Sequence, residues 1–85
     1  MESPSAAITT MEQRYKYALS LLVEQKYIIA IKEFESIINT APDSEYAEAS
    51  QINIGQTYFL NGDYKRALKA YEKVLEKYPG TKKTE

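Results

Sequence analysis

The feature that most constrains this chain is that it repeats itself. Displacing the sequence by 37 residues lays Ala30 on Ala67, Phe34 on Tyr71, Ile38 on Leu75 and Pro42 on Pro79. The same displacement puts Tyr17, Ala18 and Leu21 on Ile54, Gly55 and Tyr58, and Tyr27 on Tyr64. Self-similarity at a period of roughly 20 to 50 residues marks stacked supersecondary units, none of which buries its apolar face alone. The chain therefore reads as two copies of one plan.

Each copy is helical. Apolar positions recur at Tyr27, Ala30, Ile31, Phe34, Ile37, Ile38 and Ala41 in the first half, and at Tyr64, Ala67, Leu68, Tyr71, Val74, Leu75 and Tyr78 in the second. That spacing follows the three-to-four-residue period of one helix face, where a half-buried strand would alternate. Breakers fall between the runs. Asn61-Gly62 closes a helix through the left-handed backbone that Gly adopts without penalty, and Asp63 is placed to cap the next. Ser44 follows Pro42-Asp43 as a second cap, and Pro79-Gly80 is a stop. The boundaries predict helices near 8–24, 27–41, 44–61 and 64–78, making an all-α domain over 8–80 with flexible segments at 1–7 and 81–85. The first half offers Gln25 or Lys26 where the second has Gly62, at a cost of up to about 1 kcal/mol if that position is left-handed.

Side-chain size carries further expectations. Ala18 faces Ala30 and Gly55 faces Ala67 in the expected crossing of each helix pair, where small residues permit close approach. Phe34 and Tyr71 read as interhelical core, so replacing either by Ala is expected to cost about 3 to 5 kcal/mol. Of the eight tyrosines, Tyr17, Tyr27, Tyr58, Tyr64, Tyr71 and Tyr78 fit the packing pattern, whereas Tyr15 and Tyr46 fall outside it.

These residues resemble the tetratricopeptide repeat (TPR) family. Ile54-Gly55-x-x-Tyr58, Ala67-x-x-x-Tyr71 and Pro79 track its Leu-Gly-x-x-Tyr, Ala-x-x-x-Phe and Pro signature, and Tyr17-Ala18-x-x-Leu21, Ala30-x-x-x-Phe34 and Pro42 repeat it in phase. Gln51 and Arg14 stand where the signature has Trp. The resemblance covers about residues 11 to 80. The repeat is three residues longer than the usual 34, with the surplus in Pro42–Ala47 at the start of the third helix. In this it is similar to a bacterial envelope-associated subfamily that includes a periplasmic cell-division coordinator and outer-membrane assembly lipoproteins. The resemblance implies two antiparallel helix pairs stacked as a short right-handed solenoid, whose concave face is lined by the first helix of each pair. It also implies an adaptor or scaffold without catalytic activity.

Composition narrows the function independently. The chain has 85 residues, no Cys and no His, which removes thiol and imidazole nucleophiles and bases and the commonest metal ligands. It holds no Gly-rich phosphate loop, and Glu33 and Glu35, two apart on a helix, point in different directions. No catalytic, cofactor-binding or metal-binding residue is therefore expected. Eleven Lys or Arg against twelve Asp or Glu supply no global drive toward nucleic acid or anionic lipid. No apolar run is long enough to insert directly into a membrane. Lys65, Arg66, Lys69, Lys73 and Lys77 form a basic stripe that reads as a solvated helix face, with an acidic partner as the alternative. The compartment stays open: cytoplasmic by default for this chain, periplasmic if a native signal sequence is missing from it.

The expected partner is a protein or peptide. Projected onto the solenoid, Tyr15, Leu19, Ile52, Asn53, Gln56 and Phe59 are the contact candidates, combining apolar area with amides that bond an extended backbone. Leu19 and Ile52 read equally well as packing between the repeats. Relatives that grip a chain-terminal carboxylate use a basic and asparagine clamp, which this sequence matches only at Asn53. The alternative reading is a self-association module, with a homodimer favoured because two repeats are few for independent stability. Its candidate contacts are Ile28, Ile29, Leu60 and Tyr78. Ile28 and Ile29 stand where repeat two has Lys65 and Arg66, suggesting that this edge is covered by the segment before residue 8 or by a neighbouring subunit.

Overall fold

The computed structural model describes residues 10–79. Within them lie four helices: α1 (Met11–Val23), α2 (Tyr27–Thr40), α3 (Glu45–Leu60) and α4 (Tyr64–Lys77). The links are only a few residues long, which makes consecutive helices antiparallel neighbours. Each helix packs on the next, and α1 also touches α3. The result is an all-α stack of two helix pairs, a short right-handed TPR solenoid.

Three of the four described helices begin with a side-chain cap, and both pairs close their inner turn in the same way. Thr10, in extended backbone, accepts from the Gln13 N–H at 3.1 Å, so α1 starts at Met11. The expected start near residue 8 and the segments 1–7 and 81–85 lie outside the described residues. Ser44 caps α3 through the Ala47 N–H at 3.1 Å, and Asp63 caps α4 through the Arg66 N–H at 3.2 Å. Within each pair the turn is a Schellman closure. After α1 the N–H of Lys26 bonds Leu21 O at 2.9 Å and that of Gln25 bonds Leu22 O at 2.9 Å. After α3, Asp63 bonds Tyr58 O at 2.9 Å and Gly62 bonds Phe59 O at 3.0 Å. The motif needs a left-handed residue, and that residue is Gln25 (φ 65°) in one repeat and Gly62 (φ 85°) in the other. The second helices end differently. Ala41 and Tyr78, each before a proline, are pushed out of the helical region to φ −139° and −131°.

Ala18, Ala30, Phe34, Ile37 and Ala47 are wholly buried, with Leu21, Ile31, Ile38, Ile54, Ala67, Ala70 and Val74 nearly so. The positions of the missing tryptophans are filled by polar side chains that reach across to the second helix of their own pair. Arg14 donates from Nη2 to Ser36 Oγ at 2.5 Å, and the buried Gln51 donates from Nε2 to Ala70 O at 3.2 Å. Each thus joins the two helices where the indole would have packed.

Two expectations about packing need correction. Leu68, Tyr71 and Leu75 match the buried Ile31, Phe34 and Ile38, yet they are 59%, 39% and 60% exposed. Tyr64, also expected in the core, is exposed as well. The reason is architectural: α3 covers the face of α2 that bears Ile31, Phe34 and Ile38, whereas no described helix follows α4. Tyr71→Ala therefore loses less buried area than Phe34→Ala. In addition, the Tyr71 ring approaches Gly55 closely, its nearest atom lying 2.6 Å from where a Cβ on Gly55 would stand. Gly55 thus leaves room for that ring.

Candidate partner-binding face

Consecutive first helices bring Tyr15 on α1 beside Asn53 and Tyr46 on α3. Asn53 donates from Nδ2 to Tyr15 Oη at 2.6 Å and to Ala49 O at 3.0 Å. The carbonyl acceptor sets the amide orientation, because only the nitrogen can face it. Both amide hydrogens are therefore used inside the protein, and the Oδ1 acceptor remains. The Tyr15 ring lies 6.0 Å from Phe34 and 5.7 Å from Tyr46, tilted to both, which are favourable aromatic geometries. One side chain thus links the core of repeat one to the surface of repeat two.

The charged border is acidic with one basic group. Glu12 pairs with Lys16 at 3.4 Å across an exposed helical turn, and Glu45 lies in the first turn of α3. Desolvation, followed by the negative charges of Glu12 and Glu45, pushes the Tyr46 hydroxyl above its ordinary value, and Lys16 opposes the shift. Tyr46 is therefore a neutral hydrogen-bond donor and acceptor at physiological pH.

Of the six contact candidates, a hydrogen bond joins two. Tyr15 and Asn53 are joined and half-buried, and Leu19 is half-buried against the core. Ile52 and Gln56 are exposed one turn apart on α3. Phe59 is 55% exposed, but its ring packs 5.1 Å from Tyr64 at the α3–α4 turn. Phe59 therefore belongs as much to the α4 edge as to the concave face. Among the candidate self-association residues, Ile28, Ile29 and Leu60 are exposed. Tyr78 is instead half-buried against the core, its hydroxyl donating to Pro42 O at 3.3 Å, so it ties the end of repeat two to the loop between the repeats.

The basic stripe is exposed along α4. Lys73 and Lys77 border a shallow cleft whose opposite wall carries Glu35 and Asn39, so their surroundings are of mixed charge. Among the described residues no group of His, Cys, Asp or Glu could hold a metal ion, and no helix is long and apolar enough to cross a membrane. Sequence reasoning missed the roles of Arg14 and Gln51. The only available signal was their shared register, since each stands where the signature has Trp.

No curated protein and no solved structure matches the chain. A family model does, over residues 8–85, and it is that of the outer membrane lipoprotein YfiO. The helical repeats of the described residues 10–79 agree with that match, and the chain belongs to the YfiO outer membrane lipoprotein family.

Proposed function

We propose that this chain is a non-catalytic protein-interaction module that holds an extended polypeptide segment along its concave face. The observation that carries this reading is the Tyr15–Asn53 hydrogen bond, which joins the first helices of the two repeats and leaves the Asn53 carbonyl to accept from a ligand backbone N–H. Tyr15 and Tyr46 supply rigid ring area with polar tips, suited to ligand side chains that are part apolar. Ile52 and Gln56 extend the track along α3, adding exposed apolar area and a second amide. Membership of a family described as outer membrane lipoproteins is compatible with such a role, in which the helical part holds another protein.

The test begins with peptides selected from a displayed library on the intact protein. Chemical-shift mapping with a selected peptide should perturb Tyr15, Tyr46, Asn53 and Gln56. Ile52→Glu combined with Gln56→Lys, both at exposed positions, should weaken that peptide at least tenfold without moving the melting temperature. Shifts confined to Lys65, Arg66, Lys69, Lys73 and Lys77 would overturn the reading in favour of an acidic partner on α4.

A further inference from the structure

We propose that the uncovered face of α4 is an interface between two copies of this chain, related by a twofold axis that sets their α4 helices antiparallel. Tyr64, Leu68, Tyr71 and Leu75 are spaced by four, three and four residues and form one stripe along the helix. All four are exposed. The Phe59 ring on Tyr64 extends the stripe around the turn, with Leu60 beside it in sequence and also exposed. Apolar residues scattered singly on a surface need no explanation, but a contiguous row marks a contact.

The molecule itself displays how such a row is covered. The matching row on α2 is Tyr27, Ile31, Phe34 and Ile38, and the antiparallel α3 lies across it. The last three of these side chains are at most 8% exposed. An antiparallel helix is therefore the occupant that this surface is shaped to take.

Charge selects a second copy of α4 as that helix. On the side of the stripe away from the core run Lys65 and Lys69 in the first half of α4, then Glu72 and Glu76 in the second. A twofold axis brings like flanks together in opposite directions. Centring the stripe on itself, Leu68 against Tyr71 of the partner subunit, sets Lys65 near Glu76 of the partner subunit and Lys69 near Glu72 of the partner subunit. Symmetry makes each pair twice. A parallel pair about a twofold axis would instead turn this charged flank toward the core side of the partner's helix and form neither pair.

Head-to-tail stacking fits less well. The residues of α1 that correspond to Ala49, Ser50, Asn53 and Thr57 on α3 are Glu12, Gln13, Lys16 and Ser20. Ser50 and Thr57 are wholly buried, whereas all four α1 residues are exposed and polar. At these positions the outer side of α1 is dressed for water, whereas the corresponding outer face of α4 is apolar. A self-complementary patch at one end closes as a dimer instead of growing into a filament. This inference is independent of the concave-face reading, which uses other residues.

Sedimentation of the full chain from low to high micromolar concentration tests it. The expected result is a monomer–dimer equilibrium. Leu68→Lys with Leu75→Lys should weaken the dimer at least about tenfold, as expected for losing two central apolar contacts. Circular dichroism should be unchanged, because both side chains already face water. Lys65→Glu with Lys69→Glu, and separately Glu72→Lys with Glu76→Lys, should each weaken self-association, and mixing the two variants should restore a heterodimer. A strict monomer at high micromolar concentration would overturn the proposal. So would a dimer abolished by Ile28→Lys plus Ile29→Arg but indifferent to the α4 variants, or charge variants that fail to regain association on mixing.

Discussion

The second helices of the two repeats carry one pattern and meet different surroundings. Phe34 on α2 is wholly buried, while Tyr71, its counterpart on α4, keeps 39% of its surface in water. Ile31 and Leu68, and Ile38 and Leu75, divide in the same way. Both helices present an apolar stripe of matching spacing, so the local chemistry is alike. The difference is the next helix, because α3 lies on α2 and no described helix lies on α4. In a solenoid, burial is a property of the stack more than of the residue.

Replacing the two rings by Ala gives the largest effect and the sharpest break. Phe34→Ala should cost about 3 to 5 kcal/mol in denaturant unfolding through the cavity it leaves. Tyr71→Ala, measured at low micromolar concentration, should cost about 1 to 2 kcal/mol, since a ring still partly in water gives up less transfer free energy. Equal losses would mean that α4 is covered in dilute solution and that the two helices are not different after all.

A second comparison sets Gly55 against Ala18, which repeat one already tolerates as a methyl-bearing residue. Gly55→Ala should lower stability by about 1 to 3 kcal/mol, because the added Cβ meets the Tyr71 ring at 2.6 Å. In a Tyr71→Ala background the loss should disappear, leaving up to about 1 kcal/mol of gain from the better helix former. A double-mutant cycle reads this coupling directly. Additive effects would mean that the ring swings clear and the close approach has no energetic content.

The two Schellman turns sharpen the comparison with opposite signs. Gln25 and Gly62 occupy the same register and both are left-handed. Gln25→Gly should raise stability by up to about 1 kcal/mol by relieving the steric cost of positive φ. Gly62→Ala should lower it by about 1 kcal/mol through the backbone alone, because a Cβ there meets nothing within 4 Å. Effects of the same sign at both sites would contradict the shared turn geometry.

The smallest effect separates the caps of the second helices. Lys26 gives α2 no side-chain cap, whereas Asp63 caps α4. The Arg66 side chain, and then its backbone N–H, hold the Asp63 carboxyl below its ordinary value of 3.8. A lowered folded-state pKa means that the charged form stabilises the fold above that value and that the contribution is lost as pH falls through the lower, folded pKa. Melting temperatures of the protein and of Asp63→Asn should therefore differ near neutrality and converge below pH 3.8. A difference that persists unchanged into stronger acid would remove the charge from the explanation.

Much of this structure was legible before any coordinates. The caps at Ser44 and Asp63, the stops at Pro42 and Pro79, and the interior position of Phe34 follow from spacing and local stereochemistry. The left-handed turn of repeat one was legible only as a position, because Gln there is an uncommon solution to a demand that Gly62 states openly. Arg14 and Gln51 were visible as departures from a pattern, but which acceptors they reach depends on where the opposite helix runs. The candidate contact residues were partly divided by the same cause: Tyr15 meets Asn53 across the repeats, while Phe59, near them in helical phase, turns toward Tyr64.

The sequence by itself determined that this is a repeat of helix pairs, where each helix turns, and which face of each is apolar. These are short-range consequences of residue chemistry read at a helical period, and they do not depend on what lies beyond the turn. Only the tertiary structure decided which apolar faces are covered, that Gly55 makes room for Tyr71, and that Asn53 closes on Tyr15. Those outcomes depend on the relative placement of helices, and two stripes of the same pattern carry no mark of which one will have a neighbour.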